Sequence, residues 1–205
     1  ALAGDGAVDF STWTFGFAHN SWTRNVANSP VASGSYGYMA EYDPVSKLVY
    51  VNDTNNILSF NLETNTYVKL LGSFARNYTT ATIDTKRRKM VVIGSDEGVR
   101  VIDLKTLNRS VMTTTNAPAL VNSGAPGCAY DPVADRIVCW NGGDKVYALN
   151  MDTATWTQVA TGPGPSGFAP RSGGTFGRWG YIPQYRVYAL INSVDQNAWI
   201  FRLTN

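Results

Sequence analysis

Tyr42-Asp43-Pro44-Val45 is followed by alternating apolar residues and then by Asn61-Leu62-Glu63-Thr64, and the chain repeats this arrangement. Tyr130-Asp131-Pro132-Val133 leads in the same way to Asn150-Met151-Asp152-Thr153, and two weaker copies keep the same order. A strand-rich repeat of roughly 40 to 50 residues predicts a β-propeller. The equivalent positions are 42, 47 and 52 residues apart: Asn61, Asp103, Asn150 and Arg202.

Each repeat predicts three or four antiparallel strands, because apolar and polar side chains alternate between turns rich in Asp, Asn and Gly. In the third repeat, Val146 and Ala148 fall on one face of a strand, and Tyr147 and Leu149 fall on the other. We therefore predict an all-β propeller of four-stranded antiparallel blades, forming one domain over residues 1–205. It has an N-terminal segment at 1–34 and four blades at about residues 35–71, 77–114, 123–161 and 171–205.

The fourth repeat stops before an outermost strand, and the N-terminal segment offers a replacement. Ser21-Trp22-Thr23 resembles Thr155-Trp156-Thr157, which is the predicted outermost strand of the third blade. We predict that Ser21–Val26 pairs beside Ala198–Leu203, because this closes the exposed edge of the last blade. In the alternative, the chain is part of a larger ring, and the N-terminal segment holds two strands of a blade whose start is absent: Phe10–Phe15 and Ser21–Val26.

Composition excludes several classes of function. Charged residues make up 16% of the chain and the net charge is +2, which argues against electrostatic binding to nucleic acid or a membrane surface. The chain has one histidine, His19, so a site with several imidazole ligands is excluded. No glycine-rich phosphate loop precedes a helix. We therefore expect no metal and no cofactor.

The two cysteines lie in one predicted hairpin. If its turn centres between Val133 and Ala134, Cys128 faces Cys139, and directly opposed strand residues lie within bridging distance. This predicts a disulfide and an oxidising compartment. The alternative is two buried free thiols, because a register shift of one residue would turn the sulfurs to opposite faces.

Residues 35–205 resemble the kelch-like propellers, including the central domain of galactose oxidase. The resemblance rests on Trp140-Asn141-Gly142-Gly143-Asp144, on Asp152-Thr153-Ala154-Thr155-Trp156-Thr157 and on the closing stretch from Gly177 to Leu203, which is similar to secreted kelch-like proteins of unassigned function. It implies a secreted propeller. The resemblance does not imply oxidase activity. The copper site of galactose oxidase needs two histidines and a Tyr–Cys crosslink, and these have no counterparts in this chain.

Propellers present ligands where loops enter the inner strands, so residues at those positions are the candidates for binding. Phe74-Ala75-Arg76 and Phe168-Ala169-Pro170-Arg171 place an arginine at similar points in two blades, and two guanidiniums suit a carboxylate, a sulfate or an acidic sugar. Aromatic faces can stack on sugar rings. The alternative is that these side chains hold loop carbonyls or fill space between blades. The candidate ligand-binding residues are Tyr36, Arg76, Asn77, Tyr78, Asn122, Arg171 and Trp179.

These observations predict a secreted, extracellular binding or scaffolding module whose partner is a carbohydrate, including an acidic one, or a protein surface. No catalytic residue is assigned, because most acids lie in turns, where carboxylates usually bond nearby backbone N–H groups. Glu41 and Asp195 are less easily explained. The alternative is a carbohydrate-active enzyme, or a subunit of one, with catalytic residues partly outside this chain.

Overall fold

The strands of the computed structural model are antiparallel throughout, as the alternating pattern predicts. The structure describes residues 11–26, 30–31, 39–53, 56–72, 77–159, 164–165 and 174–203. Contacts divide the chain into two units, Ala1–Ser73 and Phe74–Asn205. Among the described residues, no helix is long and apolar enough to span a membrane.

The first unit contains a two-stranded hairpin and one four-stranded sheet, blade 1, whose strands pair in chain order. Blade 1 has the predicted alternation of buried and exposed residues at its inner strand, where Met39 and Asp43 are buried and Ala40 and Tyr42 are exposed. The strands of this unit are β1 (Thr12–Gly16), β2 (Ser21–Val26), β3 (Met39–Asp43), β4 (Leu48–Asn52), β5 (Asn56–Asn61) and β6 (Thr66–Gly72).

The second unit contains blades 2 and 3, each with four strands, and blade 4, which has three strands among the described residues. Short 3-10 helices occupy Ala119–Asn122 and Phe176–Arg178. The strands are β7 (Thr80–Asp84), β8 (Lys89–Ile93), β9 (Val99–Asp103), β10 (Arg109–Met112), β11 (Gly127–Asp131), β12 (Arg136–Trp140), β13 (Val146–Asn150), β14 (Thr155–Val159), β15 (Trp179–Ile182), β16 (Val187–Leu190) and β17 (Trp199–Phe201).

The repeated Asp of the sequence closes the first turn of blades 1 to 3. In blade 3, the Asp131 carboxylate accepts hydrogen bonds from the backbone N–H groups of Val133 (2.8 Å) and Ala134 (3.0 Å). Asp43 and Asp84 accept equivalent bonds in their own turns. The last residue of this turn has a left-handed φ of 52–57° in all four blades: Lys47, Arg88, Asp135 and Arg186. The repeat is therefore a turn signal, and its aspartates are structural caps as predicted.

The second repeated motif closes the turn between the third and fourth strands. The side-chain oxygens of Asn61, Asp103 and Asn150 each accept two backbone N–H groups from the residues two and three positions further on. Such a turn leaves the strands on either side in register. It explains why only Asn and Asp occur at this point in blades 1 to 3.

Among the described residues, two apolar cores hold the second unit together. One lies between blades 2 and 3 and includes Val91, Val101 and Trp156. The other lies between blades 3 and 4 and includes Trp140 and Tyr188, which are 1% and 0% exposed. Both faces of blade 3 are therefore buried, which accounts for the apolar residues on both faces of its strands.

The predicted disulfide is present. Cys128 pairs with Cys139 in the β11–β12 register, their Cα atoms are 4.2 Å apart, and the two sulfurs are bonded. Asp131 faces Arg136, as the predicted turn centre requires. The alternative of two free thiols is therefore wrong.

The predicted pairing of Ser21–Val26 beside Ala198–Leu203 would join the two units, and it stays a prediction. In the structure β2 pairs with β1, with Trp22 opposite Phe15, and β17 has β16 as its strand neighbour among the described residues. A short turn at residues 17–20 favours the local hairpin, since neighbouring segments close at the lowest entropic cost. The alternative interpretation, in which the N-terminal segment supplies two paired strands, agrees with this hairpin.

Candidate functional site

Three inner strands of the second unit begin at loops that are hydrogen-bonded to one another. The backbone N–H of Ala125, before β11, donates to the carbonyl of Tyr78, before β7, at 2.5 Å. The Ala125 carbonyl in turn accepts from the N–H groups of Thr175 (2.7 Å) and Phe176 (3.1 Å), which precede β15. Ala125 thus links the entries of blades 2, 3 and 4.

The turn between β8 and β9 joins the same assembly. The N–H of Ser95 donates to the carbonyl of Ser123 (2.8 Å), and the N–H of Asp96 donates to the carbonyl of Asn122 (3.3 Å). These contacts fix the ends of four loops against one another. We call this surface the loop face, and it comprises residues 77–79, 94–96, 122–126 and 174–176.

Unusual backbone conformations are concentrated in the loop face. Its non-glycine residues with positive φ are Tyr78 (61°), Ser95 (60°), Asp96 (58°), Ala125 (37°) and Phe176 (49°). Such conformations are uncommon for residues with a side chain, and clusters of them occur preferentially at functional sites. The surrounding hydrogen bonds hold them in place.

Two glycines allow the loops to approach this closely. A Cβ atom at Gly174 would lie 2.6 Å from the Cβ of Ala125, and one at Gly94 would lie 2.8 Å from a ring carbon of Pro126. Both contacts are shorter than non-bonded carbon atoms tolerate, and both glycines have positive φ. The loop face is therefore tightly packed and fixed in shape.

Three of the predicted binding residues are exposed together on the loop face. They are Asn77, Tyr78 and Asn122, with Tyr78 39% exposed. The structure brings them together through the Tyr78–Ala125 contact, which the separation of the repeats in sequence did not reveal. Asp96, an exposed residue that was not predicted to bind ligand, donates its backbone N–H to the carbonyl of Asn122.

Trp179 does not belong to this group, contrary to the prediction that it binds ligand, because its side chain is buried. The side chain is 4% exposed, its ring stacks on Tyr188 with centroids 5.0 Å apart, and its Nε1–H donates to the carbonyl of Val138 at 3.0 Å. It fills the space between blades 3 and 4, which is the usual place for a large apolar side chain. Tyr36, Arg76 and Arg171 lie outside the described residues, so the paired-arginine site stays a prediction.

Arg178 is a described arginine close to the loop face. Its guanidinium donates to the carbonyl of Gly174, within its own loop. This is the structural role that is the alternative to ligand binding for an arginine in these loops. Within the described residues, no cluster of three or more His, Cys, Asp or Glu could hold a metal ion.

A charged cluster lies at the opposite ends of the strands, where the first turns of blades 2 and 3 meet. Arg87 makes two hydrogen bonds to Asp135 (2.6 and 2.8 Å), two to Asp152 (2.8 and 2.7 Å) and one to Asp84 (2.8 Å). Tyr130 donates its hydroxyl to Asp135 at 2.9 Å. The guanidinium holds the pKa of Asp135 well below its usual range. All donors are satisfied within the protein, so this cluster is structural.

Glu41, in the first unit, has an altered ionisation. Burial raises the pKa of this carboxyl to about 7. It lies on β3, opposite Tyr50 in the pairing with β4. A carboxyl with a pKa near neutrality can donate or accept a proton at physiological pH.

The first unit also has an open apolar groove. Its volume is about 800 Å³, which lies within the roughly 300–1,000 Å³ that is usual for ligand pockets. Phe15, Phe17 and Trp22 form an aromatic cluster at its edge, with ring centroids 5.1 and 5.2 Å apart, and Phe17 is 91% exposed. The hairpin and blade 1 line it together: Thr12, Trp13, Thr14, Phe15, Phe17, Trp22, Ala40, Val49, Val51, Phe60, Leu62 and Tyr67.

Comparisons with known proteins bear on the fold. No family model matches the chain, and no curated protein matches it. Among solved structures, it is similar to a chain in the crystal structure of a nidogen/laminin complex, with a TM-score of 0.64 and 15% sequence identity. The match covers 95% of this chain and 70% of that one. Together with the successive antiparallel sheets, this likeness shows that the chain has a β-propeller fold.

Proposed function

We propose that this chain is a binding module of a secreted protein and that the loop face of the second unit is its binding surface. The observation that supports this most directly is the set of interlocked loops, which hold Asn77, Tyr78 and Asn122 in one exposed, fixed arrangement. A fixed surface loses little conformational entropy when it binds. The Cys128–Cys139 disulfide supports an oxidising, extracellular location.

Two partner classes fit this surface. The amides of Asn77 and Asn122 and the ring of Tyr78 suit a carbohydrate, which is bound through amide hydrogen bonds and ring stacking. A protein surface is the other class, and the likeness to a chain from a complex of two proteins supports it. If Arg76 and Arg171 join the loop face, an acidic sugar is preferred.

A glycan array and a pull-down from the source separate these classes. Tyr78→Ala and Asn122→Ala should each weaken binding about tenfold, since each removes one stacking or hydrogen-bonding group. Tyr185→Ala is the matched control, because Tyr185 is 61% exposed and lies in the turn between β15 and β16. Equal affinity of Tyr78→Ala, Asn122→Ala and the control for the recovered ligand would remove the loop face as the binding surface. Arg76→Ala and Arg171→Ala test the preference for acidic glycans.

The second candidate function is a carbohydrate-active enzyme. The raised pKa of Glu41 supports it, since a glycosidase needs a carboxylic acid that stays protonated near neutral pH. Turnover of a glycan, lost in Glu41→Gln and kept in Tyr78→Phe, would favour this function. Binding without turnover favours the module.

A further inference from the structure

The chain contains three Asn-X-Ser/Thr tripeptides, the acceptor sequence for an N-linked glycan in a secreted protein. Asn, Ser and Thr are abundant in this chain, so three such tripeptides are about what chance gives, and their number carries no weight. The structure places the three asparagines in different surroundings, and this distinguishes them. The tripeptides are Asn52-Asp53-Thr54, Asn77-Tyr78-Thr79 and Asn108-Arg109-Ser110.

The first of these asparagines lies inside blade 1. Asn52 is 1% exposed on β4, where it is paired with Met39 of β3 and with Ile57 of β5. Met39 and Ile57 are themselves buried, so the Asn52 amide lies among buried side chains. A sugar ring on this amide would have to take the place of those side chains. The folded chain therefore has no room for a glycan on Asn52.

The second asparagine belongs to the loop face. Asn77 is exposed and precedes Tyr78, whose carbonyl accepts the N–H of Ala125 at 2.5 Å. A glycan on Asn77 would cover the surface that Tyr78 and Asn122 expose, and it would compete there with the proposed ligand. This tripeptide is therefore part of the site already described.

The third asparagine lies in the turn that joins β9 to β10, where Asn108, Arg109 and Ser110 are all exposed. The backbone of this turn is fixed, because the Leu107 N–H donates to the Asp103 carbonyl (2.8 Å) and the Asp103 N–H donates to the Asn108 carbonyl (2.9 Å). Within the part of the chain that the structure describes, the Asn108 side chain makes no hydrogen bond. Its Nδ2 can therefore form a covalent bond without the loss of a native contact.

The Asn108 turn lies at the end of blade 2 opposite to the loop face. Residues 94–96 of the loop face come just before β9, and the Asn108 turn comes directly after it. The five residues of β9, at roughly 3.3 Å each, separate the two ends by about 17 Å. A glycan on Asn108 is therefore attached away from the surface proposed to bind a ligand.

We propose that Asn108 is an attachment site of an N-linked glycan and that Asn52 is not. The donor is a lipid-linked oligosaccharyl diphosphate of the secretory pathway. A bond forms between Asn108 Nδ2 and the anomeric carbon of the first sugar, the bond from that carbon to the diphosphate oxygen breaks, and Nδ2 loses one proton to a base of the transferase. Ser110 completes the acceptor sequence.

The modification requires the secreted location proposed above, and the Cys128–Cys139 disulfide is formed under the same oxidising conditions. It does not depend on what the loop face binds. Asn122→Ala, which should weaken the loop face, should therefore keep the glycan on Asn108. A failure of the proposed binding function and a failure of this attachment site are thus distinguishable.

The test is mass spectrometry of the full chain secreted from a eukaryotic cell line. Removal of glycans by a peptide N-glycosidase in heavy-oxygen water converts each glycosylated asparagine to labelled aspartate, so the peptide that holds Asn108 should carry the label. Asn108→Gln and Ser110→Ala should each abolish this label, whereas Ser110→Thr should keep it because threonine also completes the acceptor sequence. Asn116→Gln is the matched control, since Asn116 is exposed nearby and lies outside any acceptor tripeptide.

An unlabelled Asn108 peptide in the secreted wild-type protein overturns the proposal. A label at Asn108 that persists in Ser110→Ala also overturns it, because the modification would then not follow the acceptor sequence. A label at Asn52 in the folded, disulfide-bonded protein overturns the exclusion of that residue.

Discussion

At the scale of single residues, Glu41 should make stability depend on pH. Its pKa rises from 4.5 to about 7 on folding because burial disfavours the charged form. The folded state therefore binds this proton more tightly than the unfolded state does. The stabilising contribution is complete below pH 4.5 and is lost as the pH rises to about 7.

Glu41→Gln tests this directly, because an amide keeps the shape of the side chain and cannot ionise. We expect the variant to be more stable than the wild type at pH 8, by at most about 3 kcal/mol, with little difference at pH 4.5. Urea unfolding followed by tryptophan fluorescence at the two pH values measures it. Glu63→Gln, at an exposed position in the β5–β6 turn, is the control. A difference between wild type and Glu41→Gln that is the same at both pH values would contradict the assignment.

At the scale of the hairpin β11–β12, the disulfide should stabilise the second unit. The bonded cysteines are 11 residues apart, and closing a loop of this size in the unfolded chain is worth about 3 kcal/mol. Both sulfurs lie in the core between blades 2 and 3, so the reduced thiols remain buried there. We expect Cys128→Ala/Cys139→Ala to lower the free energy of unfolding by about that amount. If the oxidised and the reduced wild-type protein unfold at the same denaturant midpoint, the disulfide contributes nothing to the free energy of unfolding.

The strands and turns could largely be predicted from the sequence, because their signals are local. The position of the turn was enough to predict that Cys128 pairs with Cys139. The repeated Asp and Asn residues predicted where the turns lie. The entry of blade 4 was different. The sequence predicts only strands and turns in this blade, but the structure forms a 3-10 helix over Phe176–Arg178 before the strand begins at Trp179. Hydrogen bonds from the backbone N–H groups of Thr175 and Phe176 to the Ala125 carbonyl fix that loop. They join segments from different repeats, so no local sequence pattern predicts them.

At the scale of the whole molecule, the sequence could not predict which side chains make contacts between blades. Trp179 and Tyr78 are both aromatic residues near an inner strand, yet one fills a core and the other is exposed. The difference depends on which blade packs against each, and a single repeat does not contain that information. The same holds for Arg87, whose partners Asp135 and Asp152 lie 48 and 65 residues away.

Arg87 should therefore act as a connection between blades 2 and 3. Its side chain is 13% exposed, and it neutralises Asp84, which is fully buried. Arg87→Ala would leave that carboxylate without its cation, so we expect a loss of about 3 kcal/mol in the free energy of unfolding. Arg87→Lys should recover only part of this, because an ammonium cannot make the paired bonds that a guanidinium makes to Asp135 and Asp152.

Measurements at low pH distinguish the loss of the Arg87 ion pairs from a simple loss of side-chain packing. The pKa of Asp135 is lowered in the folded protein, chiefly by its hydrogen bonds to Arg87, so its contribution is present above the unfolded pKa and is lost as the pH falls below about 4. The stability difference between wild type and Arg87→Ala should therefore shrink between pH 7 and pH 3, as measured by urea unfolding. Arg202→Ala, at an exposed position where the guanidinium donates to the backbone carbonyl of Tyr185, should show no such change with pH. A difference for Arg87→Ala that stays constant over this range would mean that Arg87 stabilises the blades through its alkyl chain alone.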